Sequence, residues 1–180
     1  MKTTLRVLVL LSLTITSLIV ATGCAHVPTP STEVCAASFG ILDEADNLTP
    51  TNRVPHRVGL YYAWRLTIHS SKSKVRVKEV FKLPASAPWV NEASVPDFMK
   101  MISDRRSKSG NIRTEEFDLK MGLKGYQETE IEKPYRVVDG DPQGTHRISL
   151  WVEGKLIKQF TFQVVGEKRG RTCIVNEPDV

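Results

Sequence analysis

Three cysteines and four histidines are the side chains of this 180-residue sequence with the most obvious nucleophilic, redox or metal chemistry. The thiols stand at Cys24, Cys35 and Cys173, the imidazoles at His26, His56, His69 and His146. A metal site needs ligands at short, regular spacings or on elements that converge. No histidine has a second one two or four residues away, so neither a metal nor a cofactor is expected. A catalytic thiol needs a base, and no cysteine-histidine motif surrounds Cys35 or Cys173. No serine lies in a G-x-S-x-G elbow, and no glycine-rich phosphate loop occurs. Asp139 and Asp141 flank a glycine in DGDPQG, as at the start of a calcium loop, but the later carboxylates of such a loop are missing. The segment reads as a tight turn between strands.

The cysteines are better placed for linkage than for catalysis. Lys2 and Arg6 precede an apolar or hydroxylated run from Val7 to Val20, followed by the small residues Ala21, Thr22 and Gly23. The run is 14 residues long, short of the roughly 20 that span a bilayer, and has the positive flank and small-residue end of an export signal. Ala21-Thr22-Gly23-Cys24 resembles the lipobox of bacterial lipoproteins, with Ala21 where that family prefers leucine. The resemblance implies removal of residues 1–23 and a lipid thioether on Cys24; an ordinary cleaved signal and an uncleaved anchor are the alternatives. Two or more acyl chains hold a protein to a bilayer stably. Ala25 stands where an aspartate would favour retention at the inner membrane, so the implied address is the cell envelope, at the periplasmic face of the outer membrane.

In an exported chain Cys35 and Cys173 form an even pair in an oxidising compartment, where a disulfide is expected; two free thiols are the alternative. The bridge would close a loop of nearly the whole body, worth on the order of 4 to 5 kcal/mol in the chain-entropy account. Residues 24–35 read as a short lipidated tether, 36–166 as one folded domain and 167–180 as a tail. Net charge is +5, and +3 once Lys2 and Arg6 are removed. A mildly basic exported chain does not point to nucleic acid.

The elements that must carry these residues are strands. In VGLYYAWRLTIH, Leu60, Tyr62, Trp64, Leu66 and Ile68 share one face by period two. VRVKEVFKL and IEKPYRVV read as further strands, and THRISLWV, Glu153-Gly154 and KLIKQFTFQVV as a closing hairpin in which Ile148, Leu150 and Val152 meet Phe160, Phe162 and Val164. Between 84 and 125 the pattern loosens into an insertion. There SVPDFMKMISDRR suggests a short helix with Ser94 as cap, Pro96 in the first turn and Phe98, Met99 and Ile102 on one side. About seven short strands with turns between them predict an all-β antiparallel sandwich. SFGIL, NRVPHRVGLYYAWRL and GTHRISLWVEGKLIKQFTFQVV resemble an uncharacterised family of bacterial Ig-like domains, over about residues 38 to 165. That resemblance implies a fold and no activity.

Charge and exposure supply the remaining candidates. Lys72, Lys74, Arg76, Lys78 and Lys82 share one parity and form a cationic stripe, suited to an anionic surface or to keeping an edge or outer face from aggregating. Glu128, Glu130 and Glu132 form an acidic stripe, which would stabilise the basic one if their strands were neighbours. Trp151 and Ile157 fall on the outward parity of the final hairpin and, with Trp89, are candidate partner anchors, unless the insertion covers them. The expected function is a non-enzymatic binding or scaffolding module, tethered to a membrane and engaging another envelope component. The alternatives are an envelope hydrolase assembled from His146, Asp139 and Asp141, or contact with anionic lipid or glycan through the lysine stripe.

Overall fold

The computed structural model describes residues 31–87, 99–121 and 127–166. All regular elements among them are strands: β1 (Thr32–Leu42), β2 (Leu48–Pro50), β3 (Arg53–Pro55), β4 (Tyr61–Ser70), β5 (Lys74–Lys82), β6 (Met99–Arg106), β7 (Ile112–Lys120), β8 (Gln127–Arg136), β9 (Gly144–Val152) and β10 (Lys155–Val165). They build two sheets, one in the order β2, β1, β4, β8 and the other in the order β3, β10, β9, β5, β7, β6. All pairings are antiparallel except the short one between β3 and β10, which is parallel.

The period-two pattern explains which faces meet. Tyr62, Trp64, Leu66 and Ile68 of β4 are buried against Val75, Val77 and Phe81 of β5 and Ile148, Leu150 and Val152 of β9 in one core. Burying each such side chain stabilises the fold by roughly 1.5 to 3 kcal/mol relative to leaving it in water. Phe39 stacks on Phe162 with ring centroids 4.4 Å apart, which joins the first strand of one sheet to the last strand of the other. The closing hairpin forms as expected. Its turn residues Glu153 (φ 51°) and Gly154 (φ 78°) both take positive φ, the conformation that matches a two-residue turn to strand twist.

Three expectations are corrected. The sandwich has ten described strands rather than about seven. The expected insertion at 84–125 contributes two of them, since Met99–Arg106 is β6 and not helix: Met99 pairs with Leu119 and Met101 with Phe117, so the methionines face the core while Lys100 faces out. Once β7 offers an unpaired edge, that alternation satisfies more backbone than one helical turn would. Residues 94–98 lie outside the described residues. The folded body also begins inside the expected tether, because β1 starts at Thr32 and pairs with Ser70.

Candidate functional site

The basic stripe lies on the outer face of the six-stranded sheet. Val75, Val77 and Phe81 point into the core, so Lys74, Arg76, Lys78 and Lys82 point away from it. Lys72 precedes the strand and pairs with Glu153 across the hairpin turn. β5 sits between β9 and β7, so the cations do not guard an edge. Neighbouring strands widen the stripe: Arg147 faces Lys82 from β9, and Lys120 faces Lys74 from β7. Lys100 and Arg105 of β6 lie opposite Asp118 and Thr114. The acids on this face are Glu116 and Asp118. Asp118 is engaged by Arg76 Nε and, at 3.4 Å, by Lys74, and the Arg76 hydrogen bond holds its carboxyl below the usual range.

The acidic stripe belongs to the other sheet. Glu128, Glu130 and Glu132 lie opposite His69, Thr67 and Arg65 of β4. Arg65 Nε donates to Glu132 at 3.0 Å and sits 3.4 Å from Glu130, and His69 Nε2 is 2.5 Å from Glu128 Oε2. The two stripes are therefore not neighbours; they occupy opposite outer faces of the sandwich.

Trp151 is half-buried on the basic face, with the ammonium of Lys78 5.3 Å from its ring centroid. Ile157 does not join it. A register shift between Leu156 and Lys158 inserts one extra residue into β10, and such a bulge redirects the side chains on either side of it. Ile157 packs on the core instead, and Leu156, 51 % exposed, lies opposite Trp151. Strict alternation through the strand missed Leu156. Trp89, Cys24 and Cys173 lie outside the described residues. Cys35 sits on the exposed side of β1 at a second register shift, between Val34 and Ala36, with no sulfur partner among the described residues.

His146, Asp139 and Asp141 do not assemble into a hydrolytic site. His146 is 2 % exposed, wedged between Phe81 and Phe162. Its Nε2 lies 2.7 Å from the Pro142 carbonyl, and its Nδ1 has no hydrogen-bond partner. Burial pushes its pKa down. Asp141 accepts a 2.9 Å hydrogen bond from the Val138 amide, closing the turn expected at DGDPQG, and Asp139 is exposed. Among the described residues no group of three His, Cys, Asp or Glu side chains is arranged to hold a metal ion.

Sequence reading overlooked a charged network between the sheets. Glu79 and Glu115 point inward from β5 and β7. Lys133 of β8 reaches both, 3.3 Å from Glu79, while Trp64 Nε1 and the Tyr135 hydroxyl donate to Glu79. Arg113 continues the chain, 2.6 Å from Glu115 and 2.9 Å from Asp104. Burial lowers the pKa of Lys133 against the pull of Glu79, and burial raises that of Tyr135. Each carboxylate in the network is engaged by a cation or a donor, so the arrangement locks the layers together. The signal in the sequence was Glu79 itself, the one charge on the apolar parity of VRVKEVF.

At one end of the four-stranded sheet the β1–β2 turn and the β3–β4 loop enclose a groove of about 860 Å³, floored by Leu42 and Pro134 and bordered by Asp43 and Arg57. Val58 and Tyr61 line it and are 58 % and 45 % exposed.

Comparison with known proteins bears on this geometry. No curated protein matches the chain. An immunoglobulin-like protein from Pseudomonas aeruginosa shares the architecture, with a TM-score of 0.51 at 13% identity over 75% of this chain and 97% of that one. An alkylpurine DNA glycosylase from Pseudomonas fluorescens, solved bound to DNA containing an abasic site analogue, aligns with a TM-score of 0.41 at 11% identity, over 74% of this chain and 30% of that one. A beta-glucosidase from Listeria innocua aligns with a TM-score of 0.35 at 11% identity, over 77% of this chain and 16% of that one. Residues 37–165 match the family described as the PM0630 beta sandwich domain. With that match spanning most of its length, and the Ig-like sandwich laid out above, the chain belongs to the PM0630 beta sandwich domain family.

Proposed function

We propose that this protein is a lipid-anchored envelope lipoprotein, held through Cys24 at the periplasmic face of the outer membrane, that acts as a non-enzymatic binding module for an envelope component. The observation that carries this reading is the distribution of charge. Cations gather on the outer face of one sheet and carboxylates on that of the other, as in a module whose faces meet different surroundings. Three buried groups that could do acid-base chemistry support it too: His146 is sealed among aromatic rings, and Glu79 and Glu115 are held in ion pairs. The Ig-like fold adds only an analogy, since such sandwiches host many functions.

Photo-crosslinking in intact cells tests the reading, with the probe placed at exposed positions on each outer face in turn. Capture of an envelope component from one face and not the other is the expected result. Equal labelling from both faces, at the level of random collision, would overturn it. The anchor is tested separately: Cys24→Ser is expected to move the protein from the membrane to the soluble fraction.

A further inference from the structure

We propose that the envelope component met by the basic face is the surface of an anionic phospholipid bilayer, with the outer face of the six-stranded sheet lying flat on the headgroups and Trp151 and Leu156 entering the interfacial layer. The proposal rests on the binding-module reading and gives it a partner.

Its first support is uncompensated charge. Lys78, Lys82, Lys100, Arg105, Lys120 and Arg147 have no ion-pair partner among the described residues, and Asp118 is already shared by Lys74 and Arg76. Two registers set like charges directly opposite each other, Lys82 against Arg147 and Lys74 against Lys120. Such pairs destabilise a sheet. An external anion relieves that repulsion, whereas protection against edge pairing does not explain it, because β5, β7 and β9 are all interior strands.

The second support is the apolar component. Trp151 and Leu156 are cross-strand partners on this same face, beside Lys78. A tryptophan and an exposed leucine beside long cationic side chains have the chemistry of an interfacial anchor: the rings and methyls leave water while the ammonium groups stay at headgroup level. The composition also favours lipid over a protein partner. Four of the six free cations are lysines, which protein interfaces tend to exclude but which suit a fluid layer of phosphates. The acidic face, on the far side of the sandwich, is repelled by the same bilayer and sets the orientation.

The test compares binding of the full-length chain to vesicles of phosphatidylethanolamine with about 30% phosphatidylglycerol against vesicles of phosphatidylcholine. The ratio of the two affinities is the readout, because an apolar segment or acyl chain binds both and cancels. The expected ratio is about tenfold or more at low salt, falling toward one near 0.5 M NaCl. Combining Lys82→Gln, Lys100→Gln and Arg147→Gln, all exposed positions, should lower the ratio about tenfold or more. Glu128→Gln with Glu130→Gln on the opposite face should not lower it. A ratio near one at low salt, an unchanged ratio in the triple variant, or binding to soluble polyphosphate without binding to anionic vesicles would overturn the proposal. Any of those results bears on the lipid partner alone, because the binding-module reading is decided separately by face-selective crosslinking in cells.

Discussion

Trp64 Nε1 donates to Glu79 Oε2 at 2.6 Å, from one sheet to the other through the middle of the sandwich. The same carboxylate receives the Tyr135 hydroxyl and faces Lys133. Glu79→Ala removes one member of this set: it leaves an indole N–H and a phenol without their acceptor and takes from the buried Lys133 ammonium one of its two carboxylates, Glu115 remaining. A loss of about 3 to 5 kcal/mol is expected by urea unfolding, since breaking a buried pair exposes the full desolvation cost of what is left. Replacing Glu79, Lys133, Trp64 and Tyr135 by leucine, methionine, phenylalanine and phenylalanine, which removes the buried donors together with their acceptor, should cost less than the sum of the single replacements. A loss equal to that sum would mean that the network contributes only through its packing.

His146 is buried in its neutral form, and its pKa lies below the ordinary 6.5. The unfolded chain therefore takes up a proton near pH 6.5 while the folded chain does not, so stability is fully present above that pH and is lost as the pH falls through the folded-state value. Unfolding midpoints should decline between about pH 7 and 5, and His146→Phe should flatten that decline. A decline of the same size in the variant would assign it to other groups.

A Cβ on Gly40 would stand 2.1 Å from the carbonyl oxygen of Thr49, the β2 residue beside its own partner Pro50. Because the obstacle is backbone, it gives way only if β1 and β2 separate. Gly40→Ala should cost about 1 to 3 kcal/mol, the usual range for overpacking, with the earliest hydrogen-exchange deprotection at Leu42 and Leu48. Uniform deprotection across the sheet would contradict this.

Cys35 is exposed on β1, and Cys173 follows Gly166 by seven residues, a stretch of up to about 25 Å. Peptide mapping without reduction should recover the two cysteines joined, as the proposed envelope location implies. Finding both thiols free would remove the bridge.

The elements that sequence reading placed correctly share one property: their signal is local. β4, β5, β9 and β10 each alternate apolar and polar residues, and Glu153-Gly154 is a turn of two residues that tolerate positive φ. β6 was misread because Met99, Ile102 and a nearby proline fit one helical turn as well as they fit a strand, and a short segment holds too few periods to separate the two. Ile157 was misplaced for a related reason. A bulge is an irregularity of pairing, and nothing within KLIKQFTFQVV marks where its partner strand skips a residue.

By itself the sequence determined that the fold class is all-β, which apolar residues of β4, β5 and β9 face inward, and that lysines and glutamates gather on the outward parity of two different strands. Tertiary structure decided that β8 lies beside β4 rather than β5, which sends the two charged stripes to opposite outer faces and joins Lys82 to Arg147 and Trp151 to Leu156. The division is physical. The facing of a side chain follows from the two-residue repeat of its own backbone, whereas a strand's neighbour is chosen by core packing and by hydrogen-bonded edges distant in the chain.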